Sequence, residues 1–325
     1  MHLYMRMIYR TFGNAQCHPE SRSAARDLAF SQRICQRRRS DHSMKDSSRP
    51  VAMTQRKTKT QFQLEQGDCV RGMKRLRPNS VDLVITSPPY NLGIRYSNYS
   101  DDAERRNYLK WCTAWAAQLA RVLKPAGSFF LNLGSSPSNP MFPHELVLEL
   151  RDLFVLQNTI HWVKSISIEG SNGEVMSRGH FKPINSGRFL TDCHEYIFHL
   201  TPGGKTPIER LALGVPYQDK SNIARWSHTG GSDLRCRGNT WFIPYETIQS
   251  RAHERPHPAT FPVQLAVWCI KLHGVTRVQT ILDPFLGIGN SAVAAQRCGV
   301  KRFIGFEIDE TYLAEARRRV GAAQS

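Results

Sequence analysis

The 325-residue sequence has no Cys-x-x-Cys pair among its eight cysteines, which stand apart at Cys17, Cys35, Cys69, Cys112, Cys193, Cys236, Cys269 and Cys298. That spacing argues against a zinc centre, so no metal is expected. Scattered thiols point to a reducing compartment rather than a disulfide scaffold. Long apolar runs are also missing: no uninterrupted stretch approaches the roughly 20 residues that span a bilayer. A soluble protein is expected, with no membrane partner. Acidic residues are scarce, 27 Asp and Glu against 44 Lys and Arg, which leaves a net charge of +17. A polyanionic partner is the natural expectation, although charge balance says nothing of fold.

What is present is organised around Val81-Asp82-Leu83-Val84-Ile85, a short, largely apolar, β-branched run of the kind that forms a buried parallel strand. Thr86-Ser87-Pro88-Pro89-Tyr90-Asn91 follows it. Proline has no amide proton and a fixed φ, so Pro88-Pro89 ends the ladder and holds the backbone extended and rigid. A polar Ser87 and an aromatic Tyr90 thus flank a stiff carbonyl at a strand end, where open α/β sheets bind ligands. Read alone, the stretch is also compatible with an ordinary Pro-Pro turn.

A second stretch begins with a strand expected over Val278 to Leu282. Asp283-Pro284-Phe285-Leu286-Gly287-Ile288-Gly289-Asn290-Ser291-Ala292 then opens a helix. Glycines let the backbone come close to a ligand at such a turn. A further strand, Arg302 to Phe306, delivers Glu307, whose carboxylate can accept hydrogen bonds from both hydroxyls of a ribose; Asp309 and Tyr312 start a final helix. Gly287-x-Gly289-x-x-Ala292, with Glu307 twenty positions after Gly287, also satisfies the dinucleotide fingerprint, so an NAD-dependent oxidoreductase competes. Against it, only one strand and one helix follow, and the preceding sequence carries a Pro-Pro-Tyr run that a dehydrogenase does not need.

Thr86 to Tyr90 resembles the catalytic motif of the S-adenosylmethionine (SAM)-dependent DNA amino-methyltransferases, Ser/Asp/Asn-Pro-Pro-Tyr/Phe/Trp, which methylate the exocyclic nitrogen of cytosine or adenine. The resemblance covers roughly residues 60 to 320. It implies that Ser87 and the Pro88 carbonyl accept hydrogen bonds from the two amino protons and aim the lone pair at the methyl group, with Pro89 stiffening the turn. Tyr90 would stack on a base rotated out of the duplex. It implies a cofactor site of Asp68, Phe261, Pro262, Asp283, Phe285, Gly287, Gly289, Asn290 and Glu307, with SAM as cofactor. Phe261 and Pro262 belong to the run His257-Pro258-Ala259-Thr260-Phe261-Pro262, and Asn290 stands where family members commonly carry Thr or Ser.

The catalytic motif precedes the cofactor motif, an order that matches the circularly permuted β group of this family. The fold class implied is α/β: a Rossmann-like SAM-dependent methyltransferase sheet, circularly permuted, with an inserted target-recognition segment. The strands of both motifs would then lie side by side. Ser-Pro-Pro-Tyr is associated more with cytosine N4 than with adenine N6, so cytosine N4 is the expected target and adenine N6 the alternative. An inactive DNA-binding protein and an RNA substrate stay open as well. No covalent cysteine adduct is required, and Cys69 and Cys112 are expected to be packing residues.

Around these motifs, Phe62-Gln63-Leu64 reads as a short strand and Gly67-Asp68-Cys69 as a turn. Tyr108, Trp111, Cys112, Trp115, Leu119 and Val122 recur at helical spacing within Glu104 to Lys124 and read as core. A turn over Leu123 to Gly127, a strand over Ser128 to Leu133, a helix over Pro143 to Leu153, strands over Asn158 to Lys164 and Glu195 to His199, and a helix over Val263 to Leu272 complete the expectation. Ser165 to Leu190 and Thr201 to Thr240 read as irregular. Their Arg178, Lys182, Arg188, Arg225, Trp226, Arg235 and Arg237 interleave cations with an aromatic, as a nucleic-acid surface does. Double-stranded DNA is the expected partner.

Four segments follow: a basic tail over 1–58, the catalytic part over 59–200, target recognition over 201–240 and the SAM-binding part over 241–325. The tail holds 12 basic and 4 acidic residues, about half the charge excess, and no apolar periodicity. It reads as a basic arm, a targeting peptide lacking a signal-peptide core, or sequence ahead of a start at Met44 or Met53. The resemblance further implies a cytoplasmic, nucleoid-associated bacterial protein, and a restriction endonuclease as possible companion.

Overall fold

The computed structural model describes residues 59–91, 103–137, 139–179, 185–244 and 260–321. The tail, Lys182 and residues 257–259 lie outside them. In chain order the elements are β1 (Gln61–Gln66), α1 (Cys69–Lys74), β2 (Val81–Thr86), α2 (Arg105–Val122), β3 (Leu123–Leu133), α3 (Phe142–Glu149), β4 (Val155–Val163), β5 (Ser165–Glu169), β6 (Val175–Gly179) and β7 (His194–Thr201). Then come α4 (Ser221–Arg225), β8 (Thr240–Phe242), α5 (Val263–His273), β9 (Thr280–Asp283), α6 (Asn290–Arg297), β10 (Arg302–Glu307) and α7 (Glu310–Val320).

Among the described residues, eight strands form one sheet in the order β1, β10, β9, β2, β3, β7, β4, β8. The first five run parallel and β7 runs antiparallel between β3 and β4. β2 therefore pairs directly with β9, Leu83 against Ile281 and Val84 against Leu282, so the two motif strands are neighbours although far apart in sequence. Helices cover both faces. Leu83 and Ile85 pack on the side of α5, α6 and α7, whereas Val84 packs on the side of α1, α2 and α3. Cover on both sides is why all six residues of β2 are buried and why the run is apolar apart from Asp82 and Thr86, whose polar groups find partners on β9 and the segment before it.

β9 feeds α6 on one face and β10 beyond it; β2 feeds α2 on the other face and β3 on the opposite flank. The junction between β9 and β2 is thus a topological switch point, with a crevice beyond its strand ends. Two polar side chains of β2 fasten that junction with three hydrogen bonds. Asp82 accepts from the backbone N–H of Gln279 (3.1 Å) and Thr280 (2.9 Å) at one end of the strands. Thr86 donates to Asp283 (2.6 Å) at the other.

Three expectations need correction. The turn over Leu123 to Gly127 lies inside β3: pairing jumps from Val81 with Leu123 to Leu83 with Ser128, so the intervening residues bulge from a strand that starts directly after α2. Ser165 to Leu190 is not wholly irregular, because β5 and β6 form a hairpin with Ser167 opposite Ser177 and Ile168 opposite Met176. Its Asn172-Gly173 turn, with Gly173 at φ 78°, is the sequence signal that marks it. The boundary at residue 240 cuts β8, whose Trp241 is buried in the core beside α5.

Candidate active site

The chain leaves β1, β10, β9 and β2 on one rim, and the residues that follow each strand line a single cavity of about 290 Å³. β1 contributes Gly67, Asp68 and Cys69; β10 contributes Glu307, Ile308 and Asp309; β9 is followed by Pro284 to Gly287 and Asn290; β2 is followed by Ser87 to Tyr90. Trp111 from α2, Thr260 and Phe261 before α5, Phe306 and Tyr312 complete the wall.

Glu307 is held by two backbone amides, Gly287 N–H at 2.7 Å on one carboxylate oxygen and Asp309 N–H at 2.9 Å on the other. A carboxylate offers about four acceptor sites, so these contacts orient it without exhausting it. Burial raises its pKa above the usual carboxylate range, and the two amides act in the opposite sense. Asp68 caps α1 by accepting the Arg71 N–H (2.9 Å) and so faces the cavity from a fixed position. Asn290 donates to the Phe261 carbonyl (2.6 Å) and accepts from Arg319 (2.5 Å). Its amide thus bridges the start of α6 to the segment before α5, with both a donor and an acceptor in use. A Ser or Thr hydroxyl at this place has only one proton to give and a shorter reach.

At the other end of the cavity, Ser87 Oγ lies 2.7 Å from the Tyr90 hydroxyl. The Pro-Pro turn is pinned by α2, whose Tyr108 hydroxyl donates to the Pro89 carbonyl (2.6 Å). Three residues after Tyr108 on that helix, Trp111 packs its ring 5.8 Å from Tyr108 and 5.4 Å from Phe285. Trp111 therefore packs on the Phe285 turn and on the tyrosine that holds the Pro-Pro turn, and it lines the cavity with both turns. Helical spacing placed it among the core aromatics, and that is right for Tyr108 and Trp115, which are fully buried; Trp111 instead forms cavity wall.

Not every candidate reaches the cavity. Asp283 is buried behind its wall, accepting from Thr86 (2.6 Å), from Ser291 Oγ (2.5 Å) and from the Phe285 N–H (3.0 Å). Burial pushes its carboxyl up to about 6. Gly289, at φ 80°, sits where α6 meets α7: a Cβ there would come within 2.9 Å of the Ala316 methyl. Pro262 is the N-cap residue of α5. These three shape the site from behind it. Cys69 is in the wall with its thiol pushed well up by burial, and the Cys112 thiol is pushed up to about 12 by burial, so neither is a ready nucleophile.

Among the cationic candidates, Arg178, Arg188, Arg225 and Arg235 are exposed, and Trp226 is 41% exposed beside Tyr217. Arg237 is engaged in the fold: its Nε donates to the Leu213 carbonyl (3.0 Å) and its guanidinium lies over Trp268 at 4.5 Å. Its attachment to the domain face therefore differs from that of the other four.

The fold and site define a doubly wound α/β protein whose ligand cavity lies at the switch point between a Pro-Pro turn and a glycine-rich turn. Residues 81–318 match the family model N6_N4_Mtase, DNA methylase, and the chain belongs to that family. It is 29% identical over 272 residues to the type II methyltransferase M.ScaI of Streptomyces caespitosus, with 81% of this chain and 82% of that protein covered. It is 26% identical over 260 residues to the DNA adenine methyltransferase YhdJ of Escherichia coli (strain K12), covering 79% and 82%. In solved structures the fold matches the PvuII DNA methyltransferase (cytosine-N4-specific) with a TM-score of 0.57 at 18% identity, over 81% of this chain and 87% of that one.

Proposed function

We propose that the chain is a SAM-dependent, site-specific DNA methyltransferase that acts on the exocyclic amino group of a base rotated out of the duplex, with cytosine N4 as its target. The observation that carries this reading is the shared cavity: the Ser87 to Tyr90 turn and the Phe285 to Gly287 turn open into one space because β2 and β9 pair. The cavity's donors and acceptors fit the cofactor. Glu307 has acceptor capacity for a ribose diol, Asp68 supplies a second carboxylate, and Phe261, Phe285, Trp111 and Tyr312 give flat apolar walls for a purine. SAM would supply a sulfonium methyl group: the N–CH3 bond forms as the S–CH3 bond breaks, the cofactor leaves as a neutral thioether, and the nitrogen gives up one proton to solvent.

The chain's own residues supply orientation. An exocyclic amino nitrogen is a weak nucleophile while its lone pair is delocalised into the ring. With Ser87 Oγ and the Pro88 carbonyl accepting hydrogen bonds from its two N–H groups, the nitrogen is turned toward tetrahedral geometry and its lone pair is aimed. The tethers on Tyr90 and on the Pro89 carbonyl keep those acceptors in place before substrate arrives. Stacking on the Tyr90 ring would hold the extruded base. Arg178, Arg188, Arg225 and Arg235 would contact phosphates, and Trp226 would add an aromatic contact.

Adenine N6 is the second reading, favoured by the likeness to YhdJ, whereas Ser87 in the Pro-Pro motif supports cytosine. The type II methyltransferases among the relatives support a role beside a restriction endonuclease. Two assays test the proposal. Thermal protection by SAM and not by NAD is expected, as is transfer of a labelled methyl group from SAM to unmethylated DNA that Ser87→Ala and Tyr90→Ala abolish. Protection by NAD alone would instead return the site to the oxidoreductase reading.

A further inference from the structure

Glu195, at the start of β7, does not belong to either motif, yet it stands at the far side of the Ser87 to Tyr90 pair. The Tyr90 hydroxyl donates toward Glu195 Oε2 (3.4 Å) and toward the Asn132 backbone carbonyl (3.2 Å). The same Oε2 accepts from the Asn132 side-chain amide (2.9 Å), and Oε1 faces Lys164 Nζ at 3.1 Å. The carboxylate is largely buried, as is its lysine. Gly134 leaves the space these groups need: a Cβ there would meet Tyr90 Cε2 at 3.0 Å and Glu195 Cδ at 3.3 Å.

Hydrogen-bond polarity gives this arrangement a consequence. A carboxylate paired with an ammonium only accepts, and so does a backbone carbonyl. Tyr90 has one hydroxyl proton, and on this side it faces two groups that can only accept it. The 2.7 Å contact with Ser87 then has to be made by the Ser87 proton, donated to the Tyr90 oxygen. With its proton committed there, Ser87 Oγ presents lone pairs to the cavity. That is the state needed to accept a proton from an amino group, and the opposite rotamer would confront the amino group with a second donor.

We propose that Glu195 is a positioning residue: through Tyr90 it fixes the direction of the hydrogen-bond chain so that Ser87 accepts from the target amino group. The inference rests on the amino-methyltransferase reading. Glu195 itself touches neither cofactor nor the reacting atoms in this account; it acts through the tyrosine, and Lys164 keeps it an acceptor.

The test is single-turnover methyl transfer from labelled SAM to unmethylated DNA by wild type, Glu195→Gln, Glu195→Asp, Tyr90→Phe and the double variant Tyr90→Phe/Glu195→Gln. SAM affinity is measured by calorimetry and Tm by thermal melting. Gln can donate toward Tyr90 and release the polarity, so the rate constant is expected to fall about tenfold to a hundredfold. SAM affinity should stay within about twofold of wild type, because the amide is isosteric and remote from the cofactor wall. Glu195→Asp, which remains acceptor-only, is expected to retain more activity than Gln. In the Tyr90→Phe background the Gln change should add less than about twofold, since its route to Ser87 is gone.

Wild-type rate in Glu195→Gln overturns the inference. So does a loss that multiplies fully with Tyr90→Phe, or one matched by falls in SAM affinity and Tm in both the Gln and Asp variants. If wild type binds SAM but methylates no DNA, the amino-methyltransferase reading falls and this inference with it, an outcome distinct from wild-type turnover without a Glu195 effect.

Discussion

Thr86 and Asp283, 197 positions apart, share a buried hydrogen bond of 2.6 Å at the place where β2 and β9 release the two motif turns. Asp283 also holds Ser291, at the start of α6, and the N–H of Phe285 in the cavity wall. One carboxylate thus ties the strand that leads to Ser87 to the turn that shapes the cofactor side.

Thr86→Val keeps the shape and removes the hydroxyl, leaving a buried carboxylate with one partner fewer. A loss of about 2 kcal/mol in unfolding free energy is expected, read by urea denaturation. Unchanged stability would show that the latch carries no net energy.

Glu307→Gln replaces one carboxylate oxygen with an amide donor that meets a backbone N–H. SAM affinity should fall by about tenfold to a hundredfold, in line with the worth of hydrogen bonds to a charged group. Calorimetric titration with SAM measures it. An affinity within error of wild type would remove Glu307 from the cofactor site.

Trp111→Ala opens the wall between the two turns, whereas Trp111→Phe keeps a ring. SAM binding is expected to weaken about tenfold for Ala and less for Phe. Equal affinity for all three chains would return Trp111 to the core role that its helical spacing suggests.

The His199, Ser128 and His273 side chains form a buried bridge between β7, β3 and α5, each ring nitrogen 2.8 Å from the Ser128 hydroxyl. Burial is the main cause that lowers both histidines to about 4. The folded state resists protonation that the unfolded chain accepts near 6.5, so these groups contribute stability above that pH. The contribution is lost as pH falls from about 6.5 toward 4, at up to about 1.4 kcal/mol per unit for each histidine. Asp283, raised to about 6, works with the opposite sign: its ionisation costs stability as pH rises from the unfolded value near 3.8 through about 6. Urea denaturation at pH 7 and pH 5 should therefore show His273→Gln losing less stability on acidification than wild type. An identical loss in both chains would mean that His273 is not the group responsible.

Much of this architecture was legible because apolar periodicity and strand-end chemistry coincide. Val81 to Ile85 reads as a doubly covered strand, and the resemblance to the permuted amino-methyltransferases implies that β2 and β9 pair, as they do. The misreadings have local causes. Periodicity alone does not separate Trp111 from Trp115, since a helix can bury one aromatic and turn the next toward a cavity. Asp283 lies among ligand-facing residues in sequence, yet its β9 position turns it inward onto Thr86 and Ser291. Glu195 gave no signal because its importance depends on β7 lying beside β3, which brings it to Asn132 and Tyr90. The β5 and β6 hairpin was announced by Asn172-Gly173 and obscured by its polar strands.

The chemical identity of the product decides between an amino-methyltransferase of cytosine, one of adenine, and neither. Protein, SAM and unmethylated genomic DNA are incubated, the DNA is digested to nucleosides, and the modified base is identified by mass spectrometry beside Ser87→Ala. N4-methylcytosine is expected in the wild-type digest and none with Ser87→Ala. N6-methyladenine would preserve the mechanism and contradict the choice of base. No methylated nucleoside from several DNA sources, in a protein that binds SAM, would mean that DNA is not the substrate.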